Sequence, residues 1–278
     1  MSDLAGRTFL ITGANTGIGY ATAMALAERG ARVHLTSRSK AKGEEAVAAI
    51  AAKTGSNQLN LLSLDLSRLA SVRKCAQDFL ALDEPLHVLI NNAGLAGRRG
   101  LTVDGFELQF GVNHLGHFAL TQALLPRLWE SGQCRVVTVA SDAHFQAKGI
   151  DFDALRMKTK SAIGMREYSV SKLCNVLFTQ ELARRLAGTH TTTYSLHPGV
   201  VASQMWGRVP PPFRQIVTRR MLTTEQGAQT SLYCATSREV ASESGNYYED
   251  CRRKDPSPVA TPGLATELWS YSEKWTSG

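Results

Sequence analysis

The 278-residue chain alternates short apolar runs with stretches of helical character. "TFLI" (8–11) leads into an Ala-rich helical run reaching Arg29, and "ARVHLTS" (31–37) follows. A helix is predicted near 40–53, then the strand "LNLLSL" (59–64), then a helix in "SRLASVRKCAQDFLAL" with Ser67 as its cap. "HVLI" (87–90) ends in "NNAG", a long helical pattern spans about 105–130, and "RVVTVAS" (135–141) comes next. A helix around 166–187 and the strand "TTTYSL" (191–196) continue the alternation. The strands are continuous apolar runs, the pattern of strands covered on both faces. Strand–helix alternation repeated this often predicts an α/β fold: a single doubly wound, Rossmann-type domain with a parallel sheet and helices on both faces. With no linker, repeat or low-complexity segment, one domain is expected over 1–278, with an excursion at about 204–222 where "WGRVPPPFRQIVTRRML" breaks the pattern.

Composition narrows the class. The chain is 43% hydrophobic and 20% charged, ordinary for a globular protein. Five cysteines (75, 134, 174, 234, 251) are scattered without a C-x-x-C pair, which argues against a disulfide framework or a zinc site and for reduced intracellular thiols. The start "MSDLAGRTFL" lacks a secretory pattern, and no apolar run approaches the ~18 residues of a membrane span. A cytoplasmic location is expected. The net charge of +7 contains no basic block longer than "RRK" at 252–254, so nucleic acid is not an expected partner, and an anionic small ligand accounts for part of the excess.

Chemistry concentrates behind the apolar runs. "TGANTGIG" (12–19) follows the first strand and opens the first helix, and its glycines Gly13, Gly17 and Gly19 suit a backbone that approaches a pyrophosphate at a helix N-terminus. A plain turn accounts for a lone glycine motif equally well. Here, however, "NNAG" (91–94) falls at the carboxyl end of a later strand, Ser141 ends the next one, and "YSVSK" sets Tyr168 and Lys172 four residues apart on one helix face.

Together these motifs resemble the short-chain dehydrogenase/reductase family from about residue 6 to residue 250, and "NHLGHF", "YSVSKLCNVLFTQELARRL", "HPGVV" and "GNYYEDC" resemble its retinol dehydrogenase-like branch. The resemblance implies hydride exchange between NAD(P)(H) and an alcohol or carbonyl. It implies a catalytic set of Asn113, Ser141, Tyr168 and Lys172. A tyrosine, with a reference pKa of about 10, is a poor base near neutrality, and a nearby ammonium favours its phenolate. Lys172 is suited to tune Tyr168, Tyr168 to exchange the proton, and Ser141 to hydrogen-bond the reacting oxygen. By resemblance, Lys172 also contacts the nicotinamide ribose, and Asn113 has a structural and water-relay role near it.

The cofactor-binding residues implied are Gly13, Asn15, Thr16, Gly17, Ile18, Gly19, Ser37, Arg38, Asp65, Leu66, Asn92, Ala93, Gly94, Tyr168, Lys172, Pro198, Gly199, Val201 and Ser203. Two departures stand out: Ala140 precedes Ser141 where many relatives carry a second serine, and "DAHFQAKGIDFDALRMKTKSAIGMRE" lengthens the gap to Tyr168. The second strand ends with Ser37 and Arg38 where an NAD-preferring fold carries an acid, and a guanidinium matches a 2′-phosphate, so NADP(H) is the expected cofactor.

No metal site is expected. His114 and His117 have no Cys or carboxylate cluster to complete one and are expected on the helix surface or in the core; Cys174 is expected as a small buried hydrophobe. At 204–222, Phe213, Ile216, Val217 and Arg220 fall at helical spacing, which suits a lid over an apolar pocket or contact with an anionic membrane surface; the lid is the expected reading, and with it an apolar substrate. The resemblance leaves room for a homo-oligomer. A cofactor-binding sensor or scaffold without chemistry, and a light-dependent pigment-reducing enzyme, are the competing functions; the sugar-nucleotide epimerases share Tyr-x-x-x-Lys but space their glycines differently.

Overall fold

The computed structural model describes residues 2–201 and 221–277. Its strands are β1 (Thr8–Ile11), β2 (Arg32–Ser37), β3 (Leu59–Ser63), β4 (Val88–Asn91), β5 (Cys134–Val139), β6 (Thr191–His197), β7 (Asn246–Glu249) and β8 (Arg252–Lys254). They form one sheet in the order β3-β2-β1-β4-β5-β6-β7-β8. Every neighbouring pair from β3 to β7 is parallel, as continuous apolar strands predict. The sheet is not wholly parallel: β8 returns antiparallel to β7 through Asp250 and Cys251, both at positive φ. The strand order reverses between β1 and β4, the place where an open α/β sheet leaves a crevice at its carboxyl edge.

Alternation along each strand sends neighbours to opposite faces. In β1, Phe9 and Ile11 join Val33, Leu35, Leu26 and Ile50 on one side, while Leu10 joins Leu89, Phe79, Phe118 and Phe178 on the other. The first side is covered by α1 (Gly17–Glu28), α2 (Lys40–Thr54) and α6 (Thr224–Thr236), and the second by α3 (Leu69–Leu80), α4 (Gly116–Glu130) and α5 (Met165–Arg185). The terminal helix α7 (Pro262–Thr276), started by Thr261 and Pro262, packs on α5 and sets Trp269 4.9 Å from Phe118 and 6.0 Å from Phe178 between ring centres. None of α6, β7, β8 and α7 follows from the apolar periodicity.

Two local expectations are corrected. The helical pattern over 105–130 is broken: a short turn Leu108–Phe110 passes into a π-helical stretch Gly111–Leu115 before α4 begins at Gly116. Ser67 does not cap α3; the N-cap residue is Arg68 without a side-chain bond, and Asp104 Oδ2 accepts from the Leu69 N–H at 2.9 Å instead. A carboxylate from a distant loop thus supplies a cap that only tertiary structure brings near. The Ser67 hydroxyl donates to Asp65 Oδ1 at 2.7 Å. Of the excursion at 204–222, only Met221 and Leu222 lie among the described residues; Ser203, Trp206, Phe213 and the helical spacing through Arg220 lie outside them.

Candidate active site

The turns after β1 and β4 meet across the crevice. Gly13 (φ +65°) and Gly17 (φ +61°) hold backbone conformations that L side chains rarely adopt, and a Cβ on Gly13 would lie 2.8 Å from that of Ala93. Gly19 has another reason: a Cβ there would lie 2.4 Å from Asn92 Nδ2 and 2.8 Å from Gly13 O. The approach is fastened by Thr12, whose hydroxyl accepts from the Asn92 and Ala93 N–H groups, both at 2.9 Å, while Asn92 Nδ2 donates to Thr12 O at 2.8 Å.

The first turn of α1 fits an anion. Thr16, its N-cap, makes no side-chain bond to the helix, and the turn contains no acid. The leading N–H groups and the positive end of the helix dipole therefore favour negative charge, such as a pyrophosphate, where Gly13 and Gly19 exclude side chains. On the opposite flank, a methyl at Gly227 would lie 2.4 Å from Val201 Cγ2 and 3.3 Å from Ile18 Cγ1, which brings two more of the sequence-derived residues to one spot. Gly199 (φ +80°) follows Pro198 at the end of β6, and Val200 O accepts from the Leu222 N–H at 2.9 Å.

Ser37 and Arg38 end β2 on the same edge. Ser37 is buried and its hydroxyl donates to Ser39 O at 2.9 Å, whereas Arg38 is exposed and in no salt bridge among the described residues. Asp65, beyond β3, spends Oδ1 on the Ser67 N–H (3.0 Å) and hydroxyl, with Leu66 buried behind it.

The four catalytic candidates converge at the ends of β4 and β5. Lys172 is 3% exposed, and its Nζ donates to Val139 O at 2.8 Å, a carbonyl that also accepts from Asn175 Nδ2 at 3.1 Å. Nζ stands 5.7 Å from the centre of the Tyr168 ring. Burial alone brings the Lys172 amine down from 10.5 to about 7. Burial also holds the Tyr168 hydroxyl above its ordinary value, with the neighbouring Ser141 hydroxyl opposing and Asp142 adding to the rise. Ser141, buried and extended at the end of its strand, accepts from the Ala143 N–H at 3.2 Å and donates to Asp142 Oδ1 at 2.9 Å. Asn113 Oδ1 accepts from the Leu95 N–H at 2.9 Å, and its Nδ2 donates to Leu95 O and Ser171 Oγ, each at 2.9 Å. A methyl at Gly94 would meet Asn113 Oδ1 at 3.4 Å and Lys172 Nζ at 3.6 Å, so that glycine keeps the space between them open.

Three residues of this frame were given no role at the site by the sequence reading. Ser171 donates to Tyr168 O at 2.7 Å while accepting from Asn113, which ties the π-helical stretch to α5. His117, expected as a surface or core histidine, is buried in the core with both nitrogens engaged. Its Nδ1 lies 3.0 Å from Asn113 O, a carbonyl that can only accept, so that nitrogen carries the proton. Nε2 must then accept from the Thr12 hydroxyl at 2.8 Å. Burial drives the ring down to about 4, which keeps it neutral and preserves this order. Thr12, His117 and Asn113 form one chain from the glycine turn to the helices that carry the catalytic candidates. The signal was present in "TGANTGIG", "NHLGHF" and "YSVSK", but partners 58 and 105 positions apart do not show in spacing.

His114 is buried beside Phe110, with Nε2 3.1 Å from Ser272 Oγ. Cys174 is fully buried and burial pushes its thiol up, as expected of a small hydrophobe. A cavity of about 890 Å³ lies near α5 but apart from the chemistry: Arg166, Glu167 and Val170 line it, on the side of the helix away from Tyr168 and Lys172.

The short chain dehydrogenase family pattern matches residues 7–152. Retinol dehydrogenase 12 of Homo sapiens is 46% identical over 282 residues, covering 97% of this chain and 86% of that protein. Among solved structures, an uncharacterized protein from Mycobacterium paratuberculosis superposes with a TM-score of 0.79 at 36% identity, covering 99% of this chain and 94% of the other. The Pseudomonas aeruginosa RhlG/NADP active-site complex does so with a TM-score of 0.72 at 26% identity, covering 93% and 98%.

Proposed function

Because the chain belongs to the short-chain dehydrogenase/reductase family, in its retinol dehydrogenase-like branch, we propose that it is an NADP(H)-dependent oxidoreductase interconverting a bulky apolar alcohol and its aldehyde or ketone. The observation that carries the reading is the meeting of Tyr168, Lys172, Ser141 and Asn113 beside Gly94, at the same crevice edge as the open first turn of α1. A sensor or scaffold has no use for a lysine amine buried at a cost next to a buried phenol.

The nicotinamide cofactor, when bound, supplies or takes up the hydride. The chain manages one proton and one oxygen. Tyr168 donates its proton to the carbonyl oxygen in reduction and takes it back in oxidation. The Ser141 hydroxyl, now turned to Asp142, hydrogen-bonds that oxygen as negative charge builds on it. Lys172, in its ammonium form, favours phenolate at Tyr168 and so offsets the rise that burial imposes. Asn113 holds the Leu95 backbone and Ser171 fixed around them.

Arg38 supports the choice of NADP(H). It stands exposed at the end of β2, its neighbour Ser37 offers no carboxylate to a ribose, and a guanidinium binds a 2′-phosphate in a bidentate manner. The RhlG structure is a complex with NADP, which agrees. The apolar substrate rests on the names of the relatives and on the apolar residues of the sequence at 204–222. The test is an NADPH-oxidation screen over retinal, medium-chain aldehydes, steroids and quinones. Turnover of the bulky apolar carbonyls with NADPH is expected; a preference for NADH, or equal turnover of acetaldehyde-sized and retinal-sized substrates, contradicts the reading.

A further inference from the structure

The Ser141 hydroxyl has a single hydrogen to give. Its oxygen accepts from the Ala143 N–H at 3.2 Å, and its hydrogen goes to Asp142 Oδ1 at 2.9 Å. Asp142 opens the short 3-10 turn Asp142–Gln146 that follows β5, so the strand that delivers Ser141 delivers a carboxylate with it. A hydrogen bond to an ionised acceptor is roughly twice as strong as one to a neutral acceptor, which makes Asp142 a real competitor for that hydrogen.

Little around Asp142 offsets its charge. Among the described residues its ionic partner is His197 alone, at the end of β6, whose Nε2 stands 3.8 Å from Oδ1, beyond hydrogen-bond reach. Burial holds the His197 ring below its ordinary value, against the pull of Asp142, so it is neutral near pH 7. His144, on the same turn, is fixed as a neutral ring: Nδ1 lies 2.6 Å from Ser141 O, which can only accept, and Nε2 accepts from the Ser257 N–H at 3.0 Å. His117 on α4 is neutral as well. On the β7–β8 hairpin Lys254 is paired with Glu249, and Asp250 beside them is another acid. The cation that faces Tyr168 is Lys172 on α5, with Nζ 5.7 Å from the ring centre. Tyr168 therefore stands between an ammonium that favours its phenolate and a carboxylate that disfavours it. Burial first, and Asp142 after it, hold the Tyr168 hydroxyl above its ordinary value, with Ser141 opposing.

We propose that Asp142 is a positioning residue that biases the site toward carbonyl reduction: it takes the hydrogen of Ser141 and sets an uncompensated negative charge near the Tyr168 hydroxyl. The inference rests on the proposed function, in which Tyr168 exchanges the proton. Reduction of a carbonyl needs that hydroxyl protonated, and oxidation of an alcohol needs it ionised. A nearby carboxylate favours the protonated form, so the pH at which reduction gives way to oxidation lies above the one Lys172 alone would set. Ser141 in turn gives its hydrogen to the reacting oxygen only by withdrawing it from Asp142.

Asp142→Asn removes the charge and keeps the shape of the side chain. The test measures kcat/KM for carbonyl reduction and for alcohol oxidation from about pH 6 to about pH 11, a range that spans the ordinary tyrosine value. Both midpoints are expected to move down together by about half a pH unit, the effect of one charge acting through partly solvated protein, since 55% of the Asp142 side chain is exposed. Asp142→Glu restores the charge and should bring both midpoints back toward wild type. Tyrosinate absorbance, titrated as the difference between each chain and its Tyr168→Phe counterpart, reads the same ionisation without turnover and should fall by the same amount. Thermal melts matching wild type check that the turn survives the substitutions. Midpoints that stay in place, rise, or move in opposite senses for the two directions overturn the proposal. A chain that turns over nothing while its Tyr168 absorbance still shifts refutes the proposed function and leaves the placement of Asp142 standing.

Discussion

Two loop regions differ in how they treat their polar groups. Around β1 and β4, the Thr12 hydroxyl, His117 ring and Asn113 amide spend their hydrogen-bonding capacity on one another and on the backbone, so the turns are locked. In the segments 97–105 and 156–167 the acids face the backbone while cations and large apolar side chains face outward. The first arrangement suits chemistry, which needs atoms held to a fraction of an ångström. The second suits contact with something outside the chain. Both use loops of one scaffold, and the difference lies in where the polar groups are satisfied.

Substitutions that unlock the first region sharpen the contrast. Lys172→Met is expected to have the largest effect, lowering kcat/KM about a thousandfold while stabilising the free protein. Its folded value lies near 7, below the ordinary 10.5, so the unfolded chain binds more protons between these values and wild-type stability falls as pH drops from about 10.5 to about 7. Lys172→Met removes that slope, and denaturant melts at pH 7 and pH 10 will show whether the variant gains most at pH 7. Any residual alcohol oxidation in the variant should require higher pH, because without the ammonium the Tyr168 phenolate forms less readily.

Arg38→Asp should come next, lowering the NADPH-over-NADH preference at least about tenfold, or ~1.4 kcal/mol. Measured kcat/KM for the two cofactors decides it, and an unchanged ratio removes Arg38 from the phosphate site.

His117→Leu should act mainly on cofactor KM, raising it about fivefold, the value of roughly one buried hydrogen bond, with kcat changed less than twofold. His117→Gln, able to restore one of the two bonds, should recover part of the loss. A fall in kcat alone, with KM unmoved, would break the link drawn between the histidine and the cofactor turn. The same ring makes the protein acid-labile. It resists protonation until about pH 4 when folded but accepts a proton near 6.5 when unfolded, so stability is lost as pH falls from 6.5 toward 4, at about 1.4 kcal/mol for each pH unit between them. His117→Gln should flatten that limb in acid denaturation.

Much of the fold was legible because local pattern and tertiary role coincide in β1 to β6: strands buried on both faces must be apolar throughout. The glycine turn was legible for the same reason, since positive φ at Gly13 and Gly17 narrows the choice of residue. Elements beyond residue 222 were not. β8 reads "RRK", three exposed cations paired with β7, and α7 takes its place from Trp269 and Trp275 packing against Phe118 and Phe110. The π-helical stretch was hidden as well, because apolar spacing alone does not distinguish it from the α-helix that follows. At the site, motif order gave the catalytic candidates, but Ser171 and His117 bond partners brought near only by folding.

The central claim is that Tyr168 exchanges the proton in an NADP(H)-dependent reaction, and Tyr168→Phe tests it most directly when cofactor binding and turnover are measured on the same preparation. The substitution deletes one hydroxyl and keeps the ring. The account predicts NADPH affinity within about twofold of wild type and kcat lowered at least about a hundredfold, the usual worth of a positioned acid or base. Retention of a tenth or more of the wild-type kcat, with NADPH bound as before, would contradict it.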